Sequence, residues 1–447
     1  MDKRDGSGTP RAAPAPRIHI RGAPPAASSE PTLAAVFHLV VRSFNKIAAQ
    51  VTTMNRAPAP RHTAAATSND AASDARSLPA WIYHDAEFFE AERAAIFRNS
   101  WQLVCHLSDV PAPGDFHTFE FFGESVVVLR AEDGAVRAFH NVCRHRAARL
   151  LDGPRGSCGR RITCRYHAWT YALDGRLVAV PNRESFPGLD TAQHGLKQLE
   201  HEVFMGFIFV RFAPGLPSVR EMAAPYAQEL AAYRLEELVP QGRVTLRPRA
   251  VNWKNVADNY SDGLHINIAH PGLTRLFGRD YRIEARPWID KMSGLLRETP
   301  SGNWSERLYQ RTLPAVGHLP PQRQRLWTYF KLWPNLAFDI YPDQVDFMQF
   351  LPVSPTQTLV REIAYVHPDP RREMRIARYL NWRINRRVSL EDKALIERVQ
   401  AGMASSGYSA GPLSVDEVCL RSFAARMRSL IPASALEQAP ARGWSHG

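Results

Sequence analysis

Cysteine is scarce: five in 447 residues, at positions 105, 143, 158, 164 and 419, too few and too scattered for a disulfide framework. Long apolar runs are absent as well. No stretch reaches the roughly eighteen residues of a membrane-spanning helix, and the best, residues 33–41, contains His38 and runs into Arg42 and Lys46. No small-residue cleavage site follows it cleanly, so a short amphipathic helix is expected there rather than a signal peptide; the Arg- and Ala-rich, acid-poor start keeps a transit peptide as an alternative. No glycine-rich phosphate-binding fingerprint occurs. The basic excess, 56 Lys and Arg against 44 Asp and Glu for a net charge of +12, is spread along the chain without an aromatic-interleaved stripe, which argues against nucleic acid. It suits docking of an acidic partner or solubility alone.

What is present is ordinary for a globular chain, 45% hydrophobic and 22% charged, with mass for two or three domains. Residues 1–76, rich in Ala, Pro, Arg, Ser and Thr, read as a disordered extension on which nothing catalytic depends; Met54 lies late in it, which makes it an alternative start. Order is expected from 78–81 onward, with a helix over 86–97. From 116 the apolar period changes to two. Strands are expected over 116–122, 125–130, 136–142, 161–163, 170–172 and 203–212, with Asp133-Gly134 and Asp174-Gly175 as turns. This all-β unit, with the helical segment before it, spans 77–215. Residues 216–435 read differently: a helix over 221–233, a strand over 244–251, a helix over 252–270, then strands over 326–332, 336–341, 345–352 and 359–367, and helices over 371–387 and 391–401. That is an antiparallel meander with helices, so the fold class is α+β, with 436–447 as a tail.

Two clusters carry chemistry. Cys143-x-His145, eighteen intervening residues and Cys164-x2-His167 place two thiolates and two imidazoles on two loops, a donor set for either one tetrahedral zinc or a Rieske [2Fe–2S] cluster. Thiolate ligation fits a reducing, cytoplasmic location. Cys158 lies between the loops without a paired histidine. The second cluster is Asp258-x3-Asp262-x2-His265-x4-His270. On a helix Asp258, Asp262 and His265 share a face, but His270 lies about 140° round from His265. Both imidazoles reach one metal only if the helix is distorted or ends, and Pro271 fits an ending. Two imidazoles with one carboxylate leave coordination positions open at a non-haem Fe(II).

The stretches Cys143-Arg-His-Arg-Ala-Ala-Arg-Leu, Cys164-Arg-Tyr-His-Ala-Trp-Thr-Tyr and Leu173-Asp-Gly-Arg-Leu resemble the Rieske domains of the ring-hydroxylating oxygenase α subunits, and the spacing around His265 and His270 is similar to the mononuclear-iron motif of the same family. The resemblance covers residues 78–430. Ala147 stands where the family usually has glycine, and the gap between the Cys/His motifs is slightly long. By this resemblance Cys143, His145, Cys164 and His167 hold the [2Fe–2S] cluster and His265 and His270 hold iron. Asp262 is implied as a bridging carboxylate to a Rieske histidine, His167, of a neighbouring subunit. Within 390–402, similar to the family's late acidic motif, Asp392 is implied as the third iron ligand, with Glu391 next and Asp343 and Asp346 more distant candidates. Asp258 and Asn259 either support the ligands from behind or sit on the helix surface.

The implied fold is a Rieske domain followed by a helix-grip mononuclear-iron domain. The implied activity is that of the oxygenase component of a multicomponent system, taking electrons from a reductase or ferredoxin through the cluster to Fe(II) and putting oxygen from O2 into a small organic substrate. NAD(P)H and flavin then belong to the partner, and a head-to-tail homotrimer, with or without a β subunit, is implied. Aromatic ring hydroxylation is the leading expectation, with Phe277, Trp288, Trp304, Trp327, Tyr329 and Trp333 as candidate pocket aromatics. The same residues serve equally in a cation–π cage for choline, betaine or carnitine, or as core, so ammonium monooxygenation or N/O-demethylation is the alternative. An electron-transfer iron–sulfur protein with a vestigial second site is the reading of another class.

Overall fold

The computed structural model of the protein describes residues 75–446. The helix and transit-peptide expectations over the N-terminus, Met54 and nearly all of the 1–76 extension lie outside the described residues.

Helix α1 (Ala86–Glu92) starts where the Asp85 carboxylate accepts the Phe88 N–H at 2.7 Å, and one π turn, Arg93–Phe97, continues it. Its apolar face buries Phe88, Ile96 and Phe97. Ten strands follow: β1 (Gln102–His106), β2 (Asp115–Phe121), β3 (Glu124–Arg130), β4 (Val136–His140), β5 (Arg155–Ser157), β6 (Arg161–Thr163), β7 (Thr170–Ala172), β8 (Leu177–Ala179), β9 (Glu200–Phe204) and β10 (Phe207–Arg211). They form three antiparallel sheets, ordered β4-β3-β2-β5, β6-β7-β8 and β1-β10-β9. The single strand expected over 203–212 is a hairpin, because Met205 and Gly206 both take positive φ (48° and 82°) and reverse the chain in a primed turn.

The helix expected over 221–233 is likewise broken. Pro225 lies in a short 3-10 turn, without an N–H to donate, between α2 (Val219–Ala223) and α3 (Ala227–Ala231). Next comes a seven-stranded antiparallel sheet of β11 (Val239–Arg249), β12 (Tyr281–Ala285), β13 (Ile289–Leu295), β14 (Leu326–Leu332), β15 (Leu336–Ile340), β16 (Val345–Ser354) and β17 (Gln357–Val366), ordered β11-β17-β16-β15-β14-β13-β12. Of the five strands expected here, four form its middle and the fifth, expected over 244–251, is the edge strand β11, which starts earlier, at Val239; the β12–β13 hairpin at the other edge was not expected from the sequence.

Helices α4 (Trp253–Ser261), α5 (Ile266–Ala269) and α6 (Pro271–Phe277) lie between β11 and β12, α7 (Trp304–Thr312) follows β13, and α8 (Arg372–Met403) and α9 (Val418–Leu430) end the fold. The two helices expected over 371–387 and 391–401 are one. Residues 388–390, Val-Ser-Leu, hold neither proline nor glycine, so the periodic pattern runs through them. Among the described residues no helix is long and apolar enough to cross a membrane.

One large apolar core joins α1, β1 and β10 to the inner face of the seven-stranded sheet. Arg361 of β17, buried in it, donates to the β1 carbonyls of Leu103 and Val104 and to the Gln349 amide oxygen. A second core under β6–β8 includes the thiols of Cys143 and Cys164.

Candidate active site

The loop after β4 and the loop after β6 have the same local build. The Cys143 N–H donates to the Ala148 carbonyl at 2.8 Å while the Ala147 N–H donates back to the Cys143 carbonyl at 3.1 Å; Cys164, Trp169 and Ala168 repeat this at 2.9 and 2.9 Å. Closing each loop takes a left-handed residue, Ala147 at φ 56° and Ala168 at φ 53°. That conformation favours glycine, which accounts physically for the family's usual residue at position 147. The loops bring all four expected donors together. The His145 and His167 ring centroids are 4.6 Å apart, and His145 lies 4.8 Å from Trp169, stacked at 8°. Cys143 Sγ lies 3.3 Å from the Tyr171 hydroxyl, which also accepts the Arg144 N–H at 3.0 Å. His145 Nδ1 is buried without a hydrogen-bond partner. Burial pushes the Cys143 thiol up, and the neighbouring Cys164 adds to that push against the Tyr171 hydrogen bond. Two close thiols and an orphaned imidazole nitrogen fit a group that binds through those atoms. Cys158 stands apart, donating to the Gly114 carbonyl at 3.3 Å.

The second cluster depends on a helix that stops. Asn252 caps α4 by accepting the Lys254 N–H, and α4 ends at Asp262, which is extended at φ −80°, ψ 125°. The single helix expected over 252–270 is therefore interrupted, and the shared face of Asp258 with Asp262 and His265 does not form. Instead Asp258 accepts the Tyr83 hydroxyl at 2.8 Å, and burial raises its pKa to about 6. After the break the short α5 carries the chain to His270, and α6 starts with Pro271 at its first position. This brings His265 Nε2 to 3.1 Å from His270 Nε2.

Asp392, from the middle of α8, completes the group: its Oδ1 lies 3.5 Å from His265 Nε2 and 3.0 Å from His270 Nε2. That oxygen is buried and accepts no hydrogen bond. Three donor atoms at such separations match the ~3 Å edges of one face of an octahedron with ~2.1 Å bonds. The far nitrogens are held too. His265 Nδ1 lies 3.0 Å from Asp262 Oδ2, and His270 Nδ1 lies 2.9 Å from Glu391 Oε2. A carboxylate at Nδ1 keeps the proton there and leaves Nε2 free to ligate. The residues thus fit one metal ion, with Glu391 as an orienting partner and Asp392 as the nearer donor. The same carboxylates favour a proton: burial opposes it, but Asp262 and Asp392 hold His265 up at about 9. Burial would raise Asp262, yet the His265 hydrogen bond and charge hold it below the ordinary carboxylate range. Asn259 Nδ2 lies 3.4 Å from His265 Nε2. Asp343 is remote from the cluster in bonding, accepting the buried Tyr309 hydroxyl at 2.8 Å.

A cavity of about 530 Å³ opens onto His265, His270 and Asp392, with Tyr260, Tyr281, Tyr329, Asp339 and Asp346 also in its wall. Of the aromatics singled out in the sequence only Tyr329 lines it. Phe277 and Trp327 pack against each other at 5.5 Å in the core, Trp288 and Trp333 both face the Arg426 guanidinium, at 4.4 and 5.0 Å, and Trp304 sits under Arg383. Aromatic identity alone did not say which side of an element faces the cavity. Tyr260, Tyr281 and Asp339 were missed. The one available signal was a charged residue inside the apolar run 336–340.

The model of the Rieske [2Fe-2S] domain matches residues 100–199, and that of the ring hydroxylating alpha subunit catalytic domain matches residues 235–433. The carnitine monooxygenase oxygenase subunit of Escherichia coli K12 is 31% identical over 349 residues, covering 75% of this chain and 86% of the relative. The glycine betaine monooxygenase oxygenase subunit of Chromohalobacter salexigens is 27% identical over 383 residues, 76% of this chain and 82% of the relative. The large oxygenase component of a Pseudomonas aeruginosa naphthalene 1,2-dioxygenase system is 34% identical over 203 residues, 43% of this chain and 44% of the relative. A crystal structure of a quaternary ammonium Rieske monooxygenase with L-carnitine is similar with a TM-score of 0.66 at 25% identity, covering 79% of this chain and 95% of that one.

Proposed function

The chain belongs to the Rieske oxygenases of the ring-hydroxylating α-subunit family, and from that premise we propose that it is the oxygenase component of a monooxygenase acting on a quaternary ammonium compound. One observation carries this reading: sequence similarity to the Escherichia coli carnitine subunit and the Chromohalobacter salexigens glycine betaine subunit runs over three quarters of the chain, whereas sequence similarity to the Pseudomonas aeruginosa naphthalene component covers 43% of it. Tyr260, Tyr281 and Tyr329 around the cavity supply electron-rich ring faces suited to an ammonium group.

Cys143, Cys164, His145 and His167 would hold the [2Fe–2S] cluster, and His265, His270 and Asp392 the mononuclear iron. When bound, the cluster supplies single electrons and the iron supplies O2 activation. The chain's own part is positional: Asp262 and Glu391 orient the two imidazoles, and the tyrosines hold the substrate in the cavity beside them. Monooxygenation uses one O2, two electrons and two protons, puts one oxygen atom into a C–H bond and releases the other as water. The electrons come from a separate reductase or ferredoxin.

A cyclic trimer, in which the Rieske tip of one subunit meets the iron site of the next, fits the exposed apolar residues flanking that site, Leu264, Ile268 and Leu390, and the exposed Tyr166 beside His167. Asp262 would then bridge His265 to the neighbour's cluster. Native mass measurement giving an active monomer would overturn this assembly. The substrate is tested with a surrogate reductase by substrate-dependent O2 consumption. L-carnitine, γ-butyrobetaine, glycine betaine and choline are set against naphthalene; turnover of naphthalene alone would sink the ammonium reading.

A further inference from the structure

The wall of the cavity opposite the helices has an electrostatic defect. Cross-strand pairing sets Tyr329 of β14 against Asp339 of β15, Asp339 against Asp346 of β16, and Asp346 against Ala364 of β17. Two carboxylates directly opposite each other on adjacent strands, with Cβ atoms on the order of 5 Å apart, destabilise the sheet when both are charged. Asp339 is 8% exposed, accepting the hydroxyls of Tyr260 at 2.6 Å and Tyr341 at 3.2 Å. Asp346 accepts only the Gln344 amide, at 3.0 and 3.1 Å.

Neither pairs with a lysine, arginine or histidine among the described residues. Elsewhere on the strands of this sheet the pattern is different: Asp290 lies 3.2 Å from Lys331, and Glu362 is paired with Arg247. The two carboxylates that lack a protein cation are the two that share the cavity with the metal-binding group. A second observation points to a ligand there. Tyr329, also 8% exposed, lines the cavity, and its hydroxyl makes no hydrogen bond among the described residues.

We propose that Asp339 and Asp346 are the specificity-determining residues of the cavity, receiving the positively charged group of the substrate against the rings of Tyr260, Tyr281 and Tyr329. This rests on the ammonium reading above and gives it a residue-level cause. A hard inorganic cation takes six or more oxygen ligands, whereas beside these two carboxylates the wall presents the rings of Tyr260, Tyr281 and Tyr329. An organic ammonium needs only diffuse negative charge and ring faces. The cation would supply the missing counter-charge, so the pair is tolerated because it is neutralised in use. Burial already pushes both carboxyls up, helped at Asp346 by the charge of Asp339 and at Asp339 by those of Glu362 and Asp392, as expected of acids that lack a partner.

The test uses the full chain with its metals, and two ligands measured by calorimetry: tetramethylammonium, and glycine betaine against its neutral-headed carbon isostere 3,3-dimethylbutanoate. The wild type is expected to bind tetramethylammonium and to prefer glycine betaine over the isostere by about tenfold or more. Asp346→Asn and Asp339→Asn should each erase most of that preference while iron content and cluster absorption stay unchanged. Retention of the full preference by Asp346→Asn overturns the proposal. The Asp346 carboxylate hydrogen-bonds only with Gln344, so that variant stays informative even if Asp339→Asn disturbs its two tyrosines. Calorimetry needs no turnover. A wild type that binds tetramethylammonium through Asp346 yet oxidises no ammonium compound leaves the subsite standing and removes the proposed activity; a wild type that does not bind it removes the subsite.

Discussion

Glu391 Oε2 lies 2.9 Å from His270 Nδ1, on the far side of the ring from the nitrogen that Asp392, the next residue on the same helix, approaches at 3.0 Å. Consecutive helical residues point about 100° apart, so α8 can reach both ends of one imidazole only because His270 projects between their directions.

Glu391→Ala should therefore weaken iron retention or turnover by about 10–100-fold, the usual effect of losing a carboxylate behind a ligating histidine. Iron content after a chelator challenge reads this directly, with the cluster absorption as an internal control. Wild-type retention would mean that packing alone orients His270.

Asp262→Asn keeps an oxygen able to accept from His265 Nδ1, now at 3.0 Å from the carboxylate, but loses the charge. Both metals should stay bound while substrate-dependent O2 consumption falls to background. Full activity in this variant would end the bridging role.

Glu92 and Lys254 are both fully buried and 2.6 Å apart, with Trp253 Nε1 donating to Glu92 at 3.1 Å and Lys254 donating to the Ile82 carbonyl at 2.9 Å. Burial pushes Glu92 up and Lys254 down, and each pulls the other back. Removing one partner leaves a buried charge alone, so Glu92→Ala should cost about 3–5 kcal/mol, while replacing both partners with apolar residues of similar size should cost less. Chemical denaturation of the two variants distinguishes a pair that holds α1 against α4 from an incidental contact.

Burial holds Asp339 up at about 7. The groups facing it are the Tyr260 and Tyr341 hydroxyls, Tyr329 of β14, Asp346 and Glu362 of β16 and β17, and Asp392 of α8. A carboxyl with a raised pKa is neutral below that value and charged above it, so affinity for an ammonium ligand should rise as pH increases through about 7 and then level off. A flat profile between pH 6 and 8 would count against a cation at this carboxyl.

Ala147 holds φ 56° in the first Cys/His loop, a conformation costing non-glycine residues about 1–2 kcal/mol. Ala147→Gly should stabilise by roughly 1 kcal/mol once the greater freedom of glycine in the unfolded chain is offset. The readout is a raised midpoint of thermal unfolding with unchanged cluster absorption.

Much of this protein was legible in one dimension where the chemistry is local. Cys143, His145, Cys164 and His167 belong to two loops whose hydrogen bonds close within five residues, so their spacing carries their geometry. The strands over 326–332 and 345–352 were readable because alternation and turn residues act between neighbours. The second site is different. His265 and His270 meet because α4 stops at Asp262, and spacing alone left distortion and termination equally open. Asp392 could be suggested by likeness, but it reaches the site only because residues 388–390 continue one long helix instead of dividing two. The division of labour between Glu391 and Asp392, the retreat of Asp258 to Tyr83, and the unneutralised pair of Asp339 and Asp346 depend on cross-strand register and on which face of a helix is turned inward. Register and facing are set by the packing of the whole core, and no window of sequence contains them.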